Sequence, residues 1–178
     1  MKRFLALALV AACGTDAPPS ERGRIFYLRN GTLGKLVDSA VTRAGVDIAD
    51  DACITAAGDR GLGGTWRAWL SSSTSDAIDR IDDAAPWYRT DRATLLFATK
   101  AELAAGPRAP IEPPVGEPLL FWSGTSRDGT RTTATCDDWT EYLEPIATVG
   151  RADATGAEWA VPEPLSCSLY LALLCIEQ

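Results

Sequence analysis

Five cysteines and no histidine are what this chain of 178 residues offers for covalent or metal chemistry. Cys53, Cys136, Cys167 and Cys175 lie far apart with no C-x-x-C pair, and without histidine the usual zinc ligand sets cannot be completed. In an exported chain such cysteines read as two disulfides, and spacing alone leaves all three pairings open. Cys13 is left over. The missing imidazole also removes Ser-His and Cys-His nucleophile activation, and Ser71-Ser72-Ser73 has no evident base. Carboxylates gather at Asp47/Asp50/Asp51, at Asp76/Asp79/Asp82/Asp83 and at Asp137/Asp138/Glu141/Glu144. Calcium takes about six to eight oxygen ligands from loops of defined spacing. These clusters fit no such loop, and they read as helix caps and solvated faces. A two-carboxylate hydrolase needs one acid held in an apolar setting, and no Asp or Glu is isolated that way. No catalytic residue, metal ligand or cofactor is assigned, and the domain is expected not to be an enzyme.

Cys13 gains a role from what precedes it. Lys2 and Arg3 lead an apolar run from Phe4 to Val10, closed by Ala11-Ala12. That is the order of a secretory signal, and it is too short for the ~20 residues of a bilayer-spanning helix. Val10-Ala11-Ala12-Cys13 resembles a bacterial lipobox, which implies a lipid attachment at Cys13; plain cleavage after Ala12 is the alternative. The expected organisation is a signal peptide over residues 1–12, a lipidated N-terminus and flexible tether over 13–23, and one domain over 24–178. Gly14 after the cysteine argues against inner-membrane retention. The expected location is therefore exported and lipid-anchored to the cell envelope, at the outer membrane or cell surface. The formal charge is −7 and grows more negative once Lys2 and Arg3 are removed. Such a surface repels phosphate backbones, so nucleic acid is not an expected partner.

The elements that must position these groups are short. Residues 24–28 read as a first strand stopped by the Asn30-Gly31 turn signal, with Asn30-Gly31-Thr32 taken as a turn and not as a glycan acceptor. Asp50 or Asp51 can cap a helix through Ala52, Cys53, Ala56 and Ala57 that ends near Gly61. Residues 65–71 alternate in the strand manner, and the Ser/Thr cluster at 71–75 can cap a helix through Ala77, Ile78 and Ile81. Pro86-Trp87-Tyr88 opens another extended piece, and the proline-rich stretch 106–118 reads as a loop. Strands are expected at 119–122, 132–136 and 169–176, with turns such as Ser126-Arg127-Asp128-Gly129 between them. Six tryptophans are expected to pack inside, Trp87 and Trp159 being the freest.

Ala49-Asp50-Asp51-Ala52-Cys53 followed by Gly61-Leu62-Gly63-Gly64-Thr65-Trp66-Arg67-Ala68-Trp69-Leu70-Ser71-Ser72 resembles the opening of the endostatin domain, the C-terminal module of certain animal collagens. The likeness continues through 86–103, Phe121-Trp122-Ser123-Gly124, Asp128-Gly129-Thr130-Arg131, Cys136-Asp137-Asp138-Trp139-Thr140-Glu141 and the closing segment 166–177. Bacterial exported proteins carrying this domain look closer still around 61–71 and 136–139. The resemblance covers most of 24–178 and is weakest over 104–118. It implies an α+β, C-type-lectin-like fold: a mixed twisted sheet, two short helices, long loops and two disulfides. It also implies nested pairing, Cys53 with Cys175 and Cys136 with Cys167.

The family's chemistry does not transfer with the fold. The endostatin zinc site uses histidines, and its heparin surface is basic. Arg22, Arg24 and Arg29 read here as a solvated stem. The sugar-binding calcium motif of true C-type lectins has only Glu112-Pro113-Pro114 and Glu144-Pro145-Ile146 as partial counterparts. The expected function is a non-catalytic recognition or adhesion domain on a surface-anchored lipoprotein. Its membrane contact runs through the lipid, and a glycan or protein ligand would meet the loops 104–118 and 143–164. The alternatives are a structural envelope lipoprotein without a soluble ligand and a carboxylate-dyad hydrolase.

Overall fold

The computed structural model describes residues 23–38 and 43–178. Cys13, the signal segment, Arg22 and the tether before Gly23 lie outside the described residues. The chain forms an α+β fold around a curled mixed sheet with the path β6-β5-β1-β10-β7-β8-β9. In chain order the strands are β1 (Gly23–Thr32), β2 (Val37–Asp38), β3 (Arg43–Ala44), β4 (Trp66–Ala68), β5 (Trp87–Arg89), β6 (Leu95–Phe97), β7 (Leu120–Trp122), β8 (Ile146–Arg151), β9 (Ala160–Ser166) and β10 (Leu171–Glu177). Strands β2 and β3 make a separate two-stranded ribbon. The helices are α1 (Val46–Asp59), α2 (Ala77–Arg80) and a single turn α3 (Cys136–Trp139).

β1 and β10 are central because both faces of each are covered. On β1, Ile25 and Tyr27 enter one hydrophobic cluster, while Phe26 and Leu28 enter the other. On β10, Ala172, Leu174 and Ile176 alternate in the same way with Leu173 and Cys175. A strand buried on both sides reads as a continuous apolar run, which is why 171–176 carries no polar residue. β4 and the two residues after it repeat the pattern: Trp66, Ala68 and Leu70 face one cluster, and Trp69 faces the other. β4 pairs with Cys175–Glu177 at one end of β10, while β7 runs parallel to β10 at Ala172↔Phe121. All six tryptophans are buried, Trp87 and Trp159 included.

Several sequence expectations are corrected. β1 does not stop at Asn30-Gly31. It continues to Thr32, with its register shifting between Leu28 and Thr32 as it pairs with β10. α1 starts after Gly45, so neither Asp50 nor Asp51 caps it. Asp50 lies inside the helix, accepting from Ala68 N at 2.8 Å and pairing with Arg80 at 2.7 Å. Arg24 is no solvated stem. It is buried and makes a two-pronged ion pair with Glu177, Nε–Oε2 2.6 Å and Nη2–Oε1 2.5 Å, and it also donates to the Gly63 carbonyl at 2.8 Å. The hydrogen bond to Glu177 pushes the guanidinium pKa up, with burial opposing it. Arg29 instead pairs with Glu112 at 3.0 Å.

Residues 132–136 form no strand: Thr135 makes only an isolated bridge to Ala147, and from Cys136 the chain turns left-handed. Cys136, Asp137, Asp138 and Trp139 have φ of 53°, 52°, 57° and 65°. Non-glycine residues pay roughly 1–2 kcal/mol each for that region. The turn is held by Trp139 N donating to Thr135 O at 2.8 Å, by the buried Trp139 indole donating to Ser71 O at 2.7 Å, and by the Cys136–Cys167 disulfide. The second disulfide joins Cys53 on α1 to Cys175 on β10. These are the nested pairs that the endostatin resemblance implies. They close loops spanning 122 and 31 residues, which on the chain-entropy account stabilise by roughly 4.9 and 3.7 kcal/mol.

Candidate functional site

Residues 123–132, Ser-Gly-Thr-Ser-Arg-Asp-Gly-Thr-Arg-Thr, combine short hydroxyl side chains with two cations and one carboxylate. Such residues favour turns because their side chains bond their own backbone. Ser126 N donates to Thr130 O at 2.8 Å and Gly129 N to Ser126 O at 3.1 Å, with Gly129 supplying the positive φ of 87°. Asp128 locks the turn. Its carboxylate accepts from Ser126 Oγ at 2.5 Å, Thr130 Oγ1 at 2.7 Å and Thr130 N at 3.1 Å. Those bonds, Ser126's foremost, lower its pKa to about 2.

The turn is fixed to the body from both sides. Ile78 N of α2 donates to Gly129 O at 3.1 Å, and Arg131 pairs with Asp76 at 3.0 Å. Across from it, Thr148 of β8 receives Ser123 N and Gly124 N at its carbonyl, 3.1 and 2.9 Å, and shares a 2.8 Å contact with Thr132 Oγ1. β8 lies against β7 through Gly150, whose missing side chain admits the Phe121 ring; a Cβ there would stand 2.1 Å from Phe121 Cζ. β9 closes the far side, with Val149↔Val161 and Gly150↔Ala160 in register.

Between the turn and β9 runs a cleft of about 380 Å³, bounded by Thr125, Ser126, Arg127, Thr132, Ala160 and Val161 among others. Its size falls in the range of ordinary small-ligand sites. Just beneath lies the aromatic centre of the core, where Trp159 sits 5.5 Å from Trp69, 5.7 Å from Phe97 and 5.8 Å from Phe121. A shallower depression beside Ala104 shares Arg127 with the cleft.

The sequence-predicted contact loops meet this site only in part. The segment 143–164 is mostly not loop: it is the β8–β9 hairpin with the 3-10 turn Gly156–Trp159, and Thr148, Ala157, Ala160 and Val161 reach the cleft. The segment 104–118 is pinned down, with Ile111 buried, Arg108 paired to Glu102 at 2.5 Å and Glu112 N bonded to Ala152 O at 3.0 Å. Arg127 was legible only as a turn residue.

The acidic clusters resolve into pairs and backbone contacts. Asp138 accepts from Ser73 N at 2.7 Å and Ser73 Oγ at 2.9 Å. Glu141 accepts from Tyr142 N and Leu143 N at 2.7 and 3.1 Å, which lowers its pKa. Asp137, Glu141 and Glu144 border an open depression, yet among the described residues no three metal-ligating side chains converge.

No family model matches the chain. It is 30% identical over 152 residues, 75% of its length, to the human collagen alpha-1(XVIII) chain. The chain spans 9% of that protein's length. The match is to a collagen, in keeping with an endostatin-like relationship.

Proposed function

We propose that this chain is an exported lipoprotein, anchored to the envelope through Cys13, whose endostatin-like domain recognises a ligand without catalysis. The fold we assign to it is C-type-lectin-like. The observation that carries the reading is the cleft between residues 125–132 and β9: a preformed concavity held by a satisfied hydrogen-bond network, with a cation at its rim. A non-enzymatic role is supported by the carboxyl groups that leave their ordinary range. Asp91, Glu102, Asp128, Glu141 and Asp153 all move down, held as anions by arginine or by hydroxyl and amide donors. A glycosidase acid needs the opposite shift.

The test is a glycan and matrix-protein binding screen on the mature domain. Saturable binding that is lost in Ala157→Trp, which fills the cleft mouth from an exposed position, is the expected result. Glycoside turnover abolished by a single Asp or Glu substitution would overturn the non-catalytic reading. For the anchor, Cys13→Ala should remove the diacylglyceryl mass increment and membrane retention while leaving the domain folded. A soluble wild-type protein with unmodified Cys13 contradicts it.

The structural-lipoprotein alternative has one observation in its favour. Ile146, Leu169 and Tyr170 are exposed near the β9–β10 turn, where Ile146 pairs with Ser166. Contact with neighbouring envelope components through that end would leave the cleft idle, and Ala157→Trp would then change nothing.

A further inference from the structure

We infer that the cleft takes an apolar group bearing a carboxylate, with Arg127 as the anchor for the charge. The inference rests on the recognition reading above. Among the described residues, Arg127 stands apart from the other arginines whose side chains are described. Arg24, Arg29, Arg67, Arg80, Arg108, Arg131 and Arg151 have carboxylate partners. Arg89 donates to the Pro110 carbonyl, Arg60 lies 4.3 Å from the Phe26 ring centroid, and Arg92 also has an interaction. With the described residues, the Arg127 side chain makes no hydrogen bond, ion pair or ring contact. In a chain of formal charge −7, with Asp128 beside it, an unpartnered guanidinium is notable. Asp128 is occupied by Ser126 and Thr130 within its own turn.

The rest of the wall sets the remainder of the ligand. Its hydroxyls are already spoken for: Thr125 Oγ1 donates to Ser123 O at 2.6 Å, Ser126 Oγ bonds Asp128, and Thr132 Oγ1 meets Thr148 Oγ1. What those threonines, Ala160 and Val161 leave to a ligand is largely methyl surface. A strongly hydroxylated sugar would lose water there without finding free partners. One guanidinium fork matches one planar carboxylate. A phosphate dianion would meet a single cation inside an acidic field, which favours the monoanion. A free short-chain carboxylate and a peptide C-terminus with an apolar last residue share this chemistry.

The experiment is an amide-detected NMR titration of the mature domain with hexanoate and, in parallel, hexanamide. Hexanoate should shift amides of residues 125–132 and 157–161 saturably, with hexanamide at least about tenfold weaker at low salt. Arg127→Gln should weaken hexanoate by a similar factor, and Arg127→Lys should restore part of it. A peptide ending in free valine, compared with its C-terminal amide, identifies the source. Tighter binding than hexanoate assigns a peptide terminus, and equal or weaker binding assigns a free carboxylate. Equal affinity for hexanamide, shifts confined to other residues, or an unaffected Arg127→Gln would each overturn the inference. If hexanoate fails while a ligand from the screen is still blocked by Ala157→Trp, the carboxylate assignment falls and the recognition reading stands. If Ala157→Trp blocks nothing, the recognition reading itself falls.

Discussion

Replacing Glu177 by Gln should be among the most damaging conservative changes in this domain. The carboxylate and its partner Arg24 are both buried, at 9% and 7% residue exposure, and they join the second residue of β1 to the last of β10. Removing the charge from one side leaves a guanidinium in a desolvated site with only neutral partners, the Gly63 carbonyl, the Trp66 ring and the new amide oxygen, a class of change that costs about 3–5 kcal/mol. The backbone role of residue 177, accepting from the Trp87 indole at 2.8 Å, is untouched by the substitution. With a urea slope of about 2 kcal/mol/M, the unfolding midpoint should fall by about 1.5–2.5 M. The double variant Arg24→Met/Glu177→Leu removes both charges together. The Gly63 carbonyl keeps its bond from Trp66 Nε1 at 3.0 Å, so no acceptor is orphaned, and the double variant should lie within about 1 kcal/mol of wild type. Urea denaturation followed by tryptophan fluorescence, run as a full double-mutant cycle, measures both numbers. A Glu177→Gln cost below about 1 kcal/mol, or a double variant as unstable as the single, would refute the reasoning.

Three other expectations can be checked on the same material. Cys53→Ala/Cys175→Ala should lose about 4.9 kcal/mol and Cys136→Ala/Cys167→Ala about 3.7, the larger loop giving the larger loss in urea midpoint. Gly150→Ala drives a methyl into the Phe121 ring and should cost about 1–3 kcal/mol, visible as a lowered thermal midpoint; a neutral outcome means that β7 and β8 are not in this register. Asp128 has a folded pKa of about 2 against an ordinary 3.8, so its contribution is present above pH 4 and is lost as pH falls towards 2. A carboxyl-detected titration should place its midpoint near 2, and Asp128→Asn should flatten the stability loss across that interval.

Much of the sheet was readable because its residues announce burial. The apolar run of β10 and the alternation around Trp66 and Leu70 follow directly from which faces they cover. The β8–β9 hairpin was not readable. Gly150 interrupts β8, and Pro162 and Pro164 argue against a strand at β9. The prolines are tolerated because β9 is the last strand on the sheet's path, where one backbone edge needs no partner. The start of α1 was misread because Asp50 looks like a cap, whereas its carboxylate bonds Ala68 and Arg80 through contacts that no local pattern encodes. The left-handed turn at Cys136–Trp139 was hidden for a related reason: its bridge and its indole bond come from residues far along the chain. The candidate cleft was half legible. Ser126-Arg127-Asp128-Gly129 declared a turn, but the opposing wall from β9 depends on a register only the folded chain shows.

Recognition without catalysis through the cleft is the central claim, and its most direct test is where a ligand lands. Amide shift mapping of the mature domain with the tightest binder from a glycan and protein screen should trace saturable changes to residues 125–132 and 157–161, erased by Ala157→Trp. Saturable changes elsewhere that survive Ala157→Trp, for example around Ile146, Leu169 and Tyr170, would contradict it.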